Sequence, residues 1–159
     1  MKNIAFALIA LLTLSCNSAA QTSQDEALYA INKTDAEWQA ELTDEQYYIL
    51  REAGTERPWS SPLLKIKEEG TYICAACETP LYRSKDKFDS GTGWPSFDQA
   101  IEGNVGTDTD YKVGYARTEV HCGTCGGHLG HIFNDGPSAT TGMRHCINGD
   151  AMEFLPTKN

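Results

Sequence analysis

Cysteines divide this sequence into three kinds of chemistry. Cys74/Cys77 and Cys122/Cys125 form two Cys-x-x-Cys pairs, Cys146 stands alone between Arg144 and Asn148, and Cys16 lies in an apolar N-terminal stretch. Two close pairs separated by a long segment make the ligand set of a four-thiolate Zn²⁺ site. Such a site has no open coordination position, so its one metal ion stabilises and does not catalyse. Disulfides are the rival in an exported chain. They suit the pattern less well, because small closed loops staple a fold poorly and Cys146 leaves an odd number. A finger pairing Cys74/Cys77 with His128/His131 fails on spacing, since those histidines lie far downstream and only three apart.

Cys146 is then a spare thiol. If Met143 to Asn148 is a strand, the two-residue period puts Arg144, Cys146 and Asn148 on one face and turns His145 and Ile147 the other way. A guanidinium beside a thiol favours the thiolate, which is the nucleophile. The plainer reading is an inert buried cysteine; Arg and Asn at matching spacing weigh against it. A second cluster runs from Gly126 to Pro137 and carries His128, His131, Phe133 and Asp135. Its glycines argue against a helix, so the histidines belong to a loop and the start of a strand. Each can hold a proton near neutral pH, or can brace the neighbouring cysteine knuckle. Trp94, fixed between Gly93 and Pro95, can wall an apolar pocket.

Positioning these groups falls to a small β scaffold. Thr34-Asp35-Ala36-Glu37 and Thr43-Asp44-Glu45-Gln46 both read as capping boxes opening short helices, with Leu42 and Tyr47 completing a hydrophobic staple. Gly54 is the expected end of the second helix, and Pro58 prevents its resumption. Beyond Pro62 the segments are short and β-like. Thr71-Tyr72-Ile73 leads into Cys74, and Ile132-Phe133, Met143 to Asn148 and Glu153-Phe154-Leu155 are further strands. Asp110 to Cys122 reads as one strand, because Tyr111, Val113 and Tyr115 alternate on a single face.

With 159 residues and 40% hydrophobic content the chain is expected to hold one domain, 34–159. Residues 1–20 read as an export signal: Met1-Lys2 gives the positive start and Ile4 to Leu14 the apolar run, too short to span a bilayer. Ser18-Ala19-Ala20 suits ordinary cleavage, while Leu12-Thr13-Leu14-Ser15-Cys16 resembles a lipoprotein signal cut before Cys16. Residues 21–33 read as a tether. The expected location is outside the cytoplasm, periplasmic or held to the cell envelope by a lipid at Cys16, the one expected membrane contact. A net charge of −9, with dispersed basic residues, excludes a phosphate-tracking face and so nucleic acid.

Taken together, Cys74-x-x-Cys77, Gly93-Trp94-Pro95-Ser96-Phe97, Cys122-x-x-Cys125, Gly127-His128-Leu129-Gly130-His131 and Arg144-His145-Cys146-Ile147-Asn148 closely resemble the peptide-methionine (R)-S-oxide reductases, the B-type methionine sulfoxide reductases. The resemblance runs from about Leu42 to Phe154. It implies a mainly β fold, two small antiparallel sheets under short N-terminal helices, with the zinc site opposite the active site. It implies that Cys146 is the nucleophile, that Trp94 packs on the substrate methyl group with Phe133 nearby, and that His128, His131, Asp135, Arg144 and Asn148 line the pocket. His131 is the first choice for proton donor. Implied partners are oxidised proteins or peptides carrying methionine-R-sulfoxide and a thioredoxin-like or other external thiol; the chain is expected to be a monomer. Thr92 stands where many relatives carry a resolving cysteine, and His145 where they often carry an aromatic residue. The remaining alternatives are a non-catalytic zinc-pinned module that binds peptides, and a different thiol enzyme on a similar scaffold.

Overall fold

The structure, a computed structural model, describes residues 28–158. The export signal, Cys16 and the first part of the expected tether lie outside the described residues. Two helices come first. In α1 (Asp35–Glu41) the Thr34 hydroxyl accepts from the Glu37 backbone N–H, and the Glu37 carboxylate accepts from the Thr34 N–H. Thr43 and Gln46 repeat this arrangement at the start of α2 (Asp44–Glu52). Each box satisfies donors that the first helical turn leaves free. The inward faces bury Trp38, Ile49 and Leu50.

The exit from α2 differs from expectation. Ala53, and not Gly54, takes the left-handed conformation (φ 52°). Gly54 serves a different purpose: a Cβ there would sit 2.3 Å from the Tyr48 ring. The glycine is needed for close approach of chain and aromatic ring.

The remainder is β. A three-stranded sheet has the order β2-β1-β9, from β1 (Gly70–Cys74), β2 (Pro80–Arg83) and β9 (Met152–Pro156). A six-stranded sheet has the order β3-β4-β8-β7-β6-β5, from β3 (Lys87–Phe88), β4 (Ser96–Phe97), β5 (Val105–Asp110), β6 (Arg117–Cys122), β7 (His128–Phe133) and β8 (Arg144–Ile147). All pairings are antiparallel. The mainly β architecture with two antiparallel sheets and two short helices is as the sequence led one to expect. Aromatic pairs join the sheets: the Phe97 ring of β4 stacks on Tyr82 of β2 with centroids 4.3 Å apart and meets Tyr72 of β1 edge-on at 4.9 Å. α2 packs against β7 and the 3₁₀ turn Gly149–Ala151.

Asp110 to Cys122 is not one strand. β5 ends at Asp110 and β6 begins at Arg117, and the two pair as a hairpin with Asp110 opposite Arg117. Tyr111, Val113 and Tyr115 project from the connection, 68%, 50% and 65% exposed. Gly114, at φ 87°, closes a turn in which its N–H donates to the Tyr111 carbonyl at 2.9 Å. Apolar alternation over three positions is too short to hold a strand against a turn of this kind.

At the other end, residues 28–33 lie along the domain. The Ile31 N–H donates to the Thr124 carbonyl at 2.9 Å, and the Tyr29 ring stands edge-on to His121 at 5.7 Å. Both contacts fall beside the second cysteine pair.

Candidate active site and metal centre

Cys74 ends β1 and Cys122 ends β6, so each pair hangs from the tip of a strand in a different sheet. The turn after each first cysteine folds the second back: the Glu78 N–H donates to the Cys74 carbonyl and the Gly126 N–H to the Cys122 carbonyl. Gly126 adopts φ 70°, which its lack of a side chain permits. The four sulfurs lie within 4.8 Å of one another, with Cys74 and Cys125 at 3.8 Å and Cys77 and Cys122 at 3.5 Å. A tetrahedron with Zn–S bonds of about 2.3 Å has edges of about 3.8 Å. The donor set and its spacing fit Zn²⁺, and all four thiols are free of disulfides. The metal would tie the three-stranded sheet to the six-stranded one. β6 runs from this centre to Arg117, about 17 Å at roughly 3.3 Å per residue.

Arg117 reaches a second site. A cavity of about 140 Å³ is lined by Thr55, Trp94, Arg117, Gly130, His131, Phe133, Cys146 and Asn148. Strand order explains the convergence. Cys146 sits in β8 with Ser96 of β4 opposite it on one side and His131 of β7 opposite it on the other. Directly opposed residues share a sheet face, which brings the imidazole beside the thiol. Close approach of β7 and β8 requires Gly130, where a Cβ would fall 2.0 Å from the Cys146 carbonyl oxygen. The Trp94 indole N–H donates to the Glu56 carbonyl at 3.3 Å, fixing the ring in the cavity wall.

The SelR domain family matches residues 42–156. The chain is 53% identical over 127 residues to the peptide methionine sulfoxide reductase MsrB of Agrobacterium fabrum, covering 79% of this chain and 93% of that one. It is 50% identical over 127 residues to the MsrB of Leptospira interrogans (79% and 96%), and 50% identical over 129 residues to that of Leifsonia xyli (80% and 93%). This chain belongs to the SelR domain family.

Within that SelR framework, the structure brings Trp94, His131, Phe133, Cys146 and Asn148 to the cavity; His128, Asp135 and Arg144 are not among its lining residues. His128 is 5% exposed and pairs with Glu119, its ring 5.4 Å from that of His131. Two residues three apart on a regular strand face opposite ways. Here β7 bulges: Val120 pairs with Gly130 and His121 with His128, so one extra residue returns both rings to one side. Burial pushes the His128 pKa down against the opposing pull of Glu119. Asp135 grips Arg144 through two bonds of 2.8 and 2.9 Å, and the guanidinium lies 4.4 Å over the Phe133 ring. Asn148 has both amide atoms engaged: Oδ1 accepts from the Glu56 N–H and Nδ2 donates to the Leu129 carbonyl, each at 3.0 Å. Its role in the cavity wall is to hold segments in place. His145 points away, its Nδ1 3.1 Å from the Tyr82 hydroxyl.

The thiol itself departs from the reading of a thiolate stabilised outright. Burial pushes the Cys146 pKa up, and the Arg144 charge and a Thr92 hydroxyl 4.0 Å away only partly offset it. Burial therefore opposes ionisation of this thiol more than Arg144 and Thr92 favour it.

Sequence reasoning missed Asp110 and Arg117. The Asp110 carboxylate accepts from the Lys112 N–H at 2.7 Å, bonds His131 Nε2 at 2.8 Å and pairs with Arg117. These contacts, the Lys112 N–H foremost, hold its pKa well below the usual carboxylate range. Seven positions apart on a single strand, Asp110 and Arg117 would lie about 23 Å apart. Only the hairpin brings them together, and Gly114 is the signal that would have shown it.

Proposed function

We propose that this chain reduces methionine sulfoxide in polypeptides to methionine, acting on the R epimer, with Cys146 as nucleophile. The observation carrying the reading is a thiol opening into a one-side-chain cavity, walled by Trp94 and Phe133 and faced by His131. The Cys146 thiolate attacks the sulfoxide sulfur while His131 protonates the oxygen. The oxygen passes to the cysteine sulfur, the S–O bond of the substrate breaks, and methionine leaves as a thioether. Cys146 remains as sulfenic acid, the reversible first stage of thiol oxidation. Asp110 bonds His131 Nε2 at 2.8 Å and so fixes the ring's orientation. The metal centre contributes stability alone.

Thr92 is the side chain 4.0 Å from Cys146 where a resolving thiol would be needed, and the other described cysteines form the metal centre. The sulfenic acid is therefore attacked by an external thiol, releasing water and forming a mixed disulfide that a second thiol cleaves. A thioredoxin-like protein fits this part. The domain works outside the cytoplasm, as Met1-Lys2, the apolar Ile4 to Leu14 and Cys16 suggest; mass spectrometry of the membrane fraction tests for a lipid at Cys16.

The test of the activity supplies both epimers of N-acetyl-methionine sulfoxide with dithiothreitol. Turnover of the R epimer, lost in Cys146→Ser, is the expected result. Equal turnover in that variant rejects the proposal.

A further inference from the structure

A groove beside the cavity has no assigned role. Its volume is about 350 Å³, and Tyr115, Arg117, Ile132, Phe133 and Met143 are among its walls. Arg117 and Phe133 also line the cavity over Cys146, so the two spaces share a wall. Tyr115 is 65% and Met143 37% exposed. Neither belongs to the buried core or to the side chains packed against it, so folding does not account for them. The hairpin connection places Tyr115 there, beside Ile132, Phe133 and Met143. Exposed apolar clusters of this kind mark interaction surfaces.

Charge and size narrow the occupant. Arg117 is the one charged residue in the groove wall, and its guanidinium is tied to Asp110. On a chain of net charge −9 this is an uncharged strip. The cavity over Cys146, about 140 Å³, is well under the roughly 300–1,000 Å³ that enclose a whole small molecule. It admits a single side chain and leaves the polymer bearing it outside. The next space that polymer meets, across Arg117 and Phe133, is the groove.

We infer that the groove is a subsite for a bulky apolar residue next to the oxidised methionine in a polypeptide substrate. The inference rests on the proposed reductase activity and adds a preference in sequence context. Tyr115 and Met143 supply the apolar contact, and the Phe133 ring separates the two side chains of the substrate.

The test compares two acetylated pentapeptides with methionine-R-sulfoxide at the centre, flanked on both sides by Phe in one and by Ser in the other. N-acetyl-methionine-R-sulfoxide serves as the minimal substrate. Desolvating an apolar group in a pocket is worth about tenfold or more in kcat/KM, so the Phe peptide should be favoured by about tenfold. Tyr115→Ser and Met143→Ser should each reduce that ratio to threefold or less, through KM. Equal kcat/KM for the two peptides, or an unchanged ratio in both variants, overturns the subsite. So does a Tyr115→Ser effect confined to the KM of a protein reductant, or to dissociation of a dimer of this chain. Turnover of the minimal substrate with indifference to its neighbours would leave the activity standing and remove the subsite. No turnover of any substrate would remove both.

Discussion

Gly130→Ala offers the sharpest test of how the site is assembled. A Cβ at this position lies 2.0 Å from the Cys146 carbonyl oxygen, 3.0 Å from its carbon and 3.1 Å from the Ile147 Cα, all backbone atoms that cannot rotate away. Close C···O contacts between strands sit at about 3.3–3.6 Å, so β7 and β8 must part by about 1.3 Å. Two bonds to the Leu129 carbonyl, from the Asn148 N–H at 2.9 Å and its Nδ2 at 3.0 Å, stretch past bonding distance. Losing both at about 1 kcal/mol each, with overpacking strain of about 1–3 kcal/mol, gives a destabilisation of roughly 3–5 kcal/mol. At about 4 °C per kcal/mol for a domain of this size, Tm falls by roughly 12–20 °C. Cys146 also moves relative to His131, and a misplacement of about 1 Å is enough to lower kcat/KM about 10²-fold. Gly142→Ala is the control. Its φ of 72° is strained for alanine, but a Cβ there meets nothing within 4 Å. That variant should lose about 1–2 kcal/mol and keep its rate on N-acetyl-methionine sulfoxide. Differential scanning calorimetry and steady-state kinetics read both quantities. A Gly130→Ala protein melting within about 2 °C of the parent with full activity would refute the close-approach argument.

Three further outcomes follow from the geometry. Burial raises the Cys146 pKa and Arg144 lowers it, so the iodoacetamide reaction of Cys146 should still be gaining speed at about pH 8.5, the ordinary thiol value. Arg144→Met should move the inflection to higher pH; movement to lower pH would contradict the assigned influence of the guanidinium. Cys77→Ser should release zinc and lower Tm, because that ligand joins segments of different sheets. Elemental analysis and melting curves check this, and metal loss without a change in Tm would deny the centre its structural role. Thr92→Cys places a second thiol near Cys146, starting from the 4.0 Å separation of the present side chains. One turnover without reductant should yield an intramolecular disulfide, seen as a loss of about 2 Da in intact mass; persistence of a free thiol at the substituted position in a turned-over protein would show that the two sulfurs cannot meet.

What could be read from sequence divides along local and non-local lines. Both capping boxes were legible because Thr34/Glu37 and Thr43/Gln46 satisfy each other within four residues. The four metal-binding cysteines were legible because ligand type and pair spacing constrain coordination whatever the intervening fold. Arg144, Cys146 and Asn148 were legible as a group, but their individual placements were not. Arg144 is turned to Asp135, and the Asn148 amide is consumed by Glu56 and Leu129, contacts made across the chain. The shared side of His128 and His131 depends on a bulge that period-two reasoning does not contain. Likewise, Tyr111, Val113 and Tyr115 alternate as a strand would, and only the pairing of Asp110 with Arg117 reveals the turn between them.

The resting state of Cys146 gives the arrangement its chemical sense. A thiol whose pKa lies above ambient pH loses about tenfold in thiolate for each unit, yet the thiolate that does form gains about threefold in nucleophilicity. The net penalty is only about threefold per unit. In exchange, a raised pKa leaves less thiolate open to other oxidants, since the thiolate is the form that reacts with them. Burial thus discriminates in favour of a substrate that enters the cavity, where His131 stands opposite the sulfur in register. In the proposed mechanism the imidazole held by Asp110 is the group that delivers a proton to the departing oxygen. A more exposed cysteine with a lower pKa would gain little in rate and lose this selectivity. Under the proposed mechanism, catalytic control lies in the encounter between substrate and a guarded thiol, and not in a permanently activated sulfur.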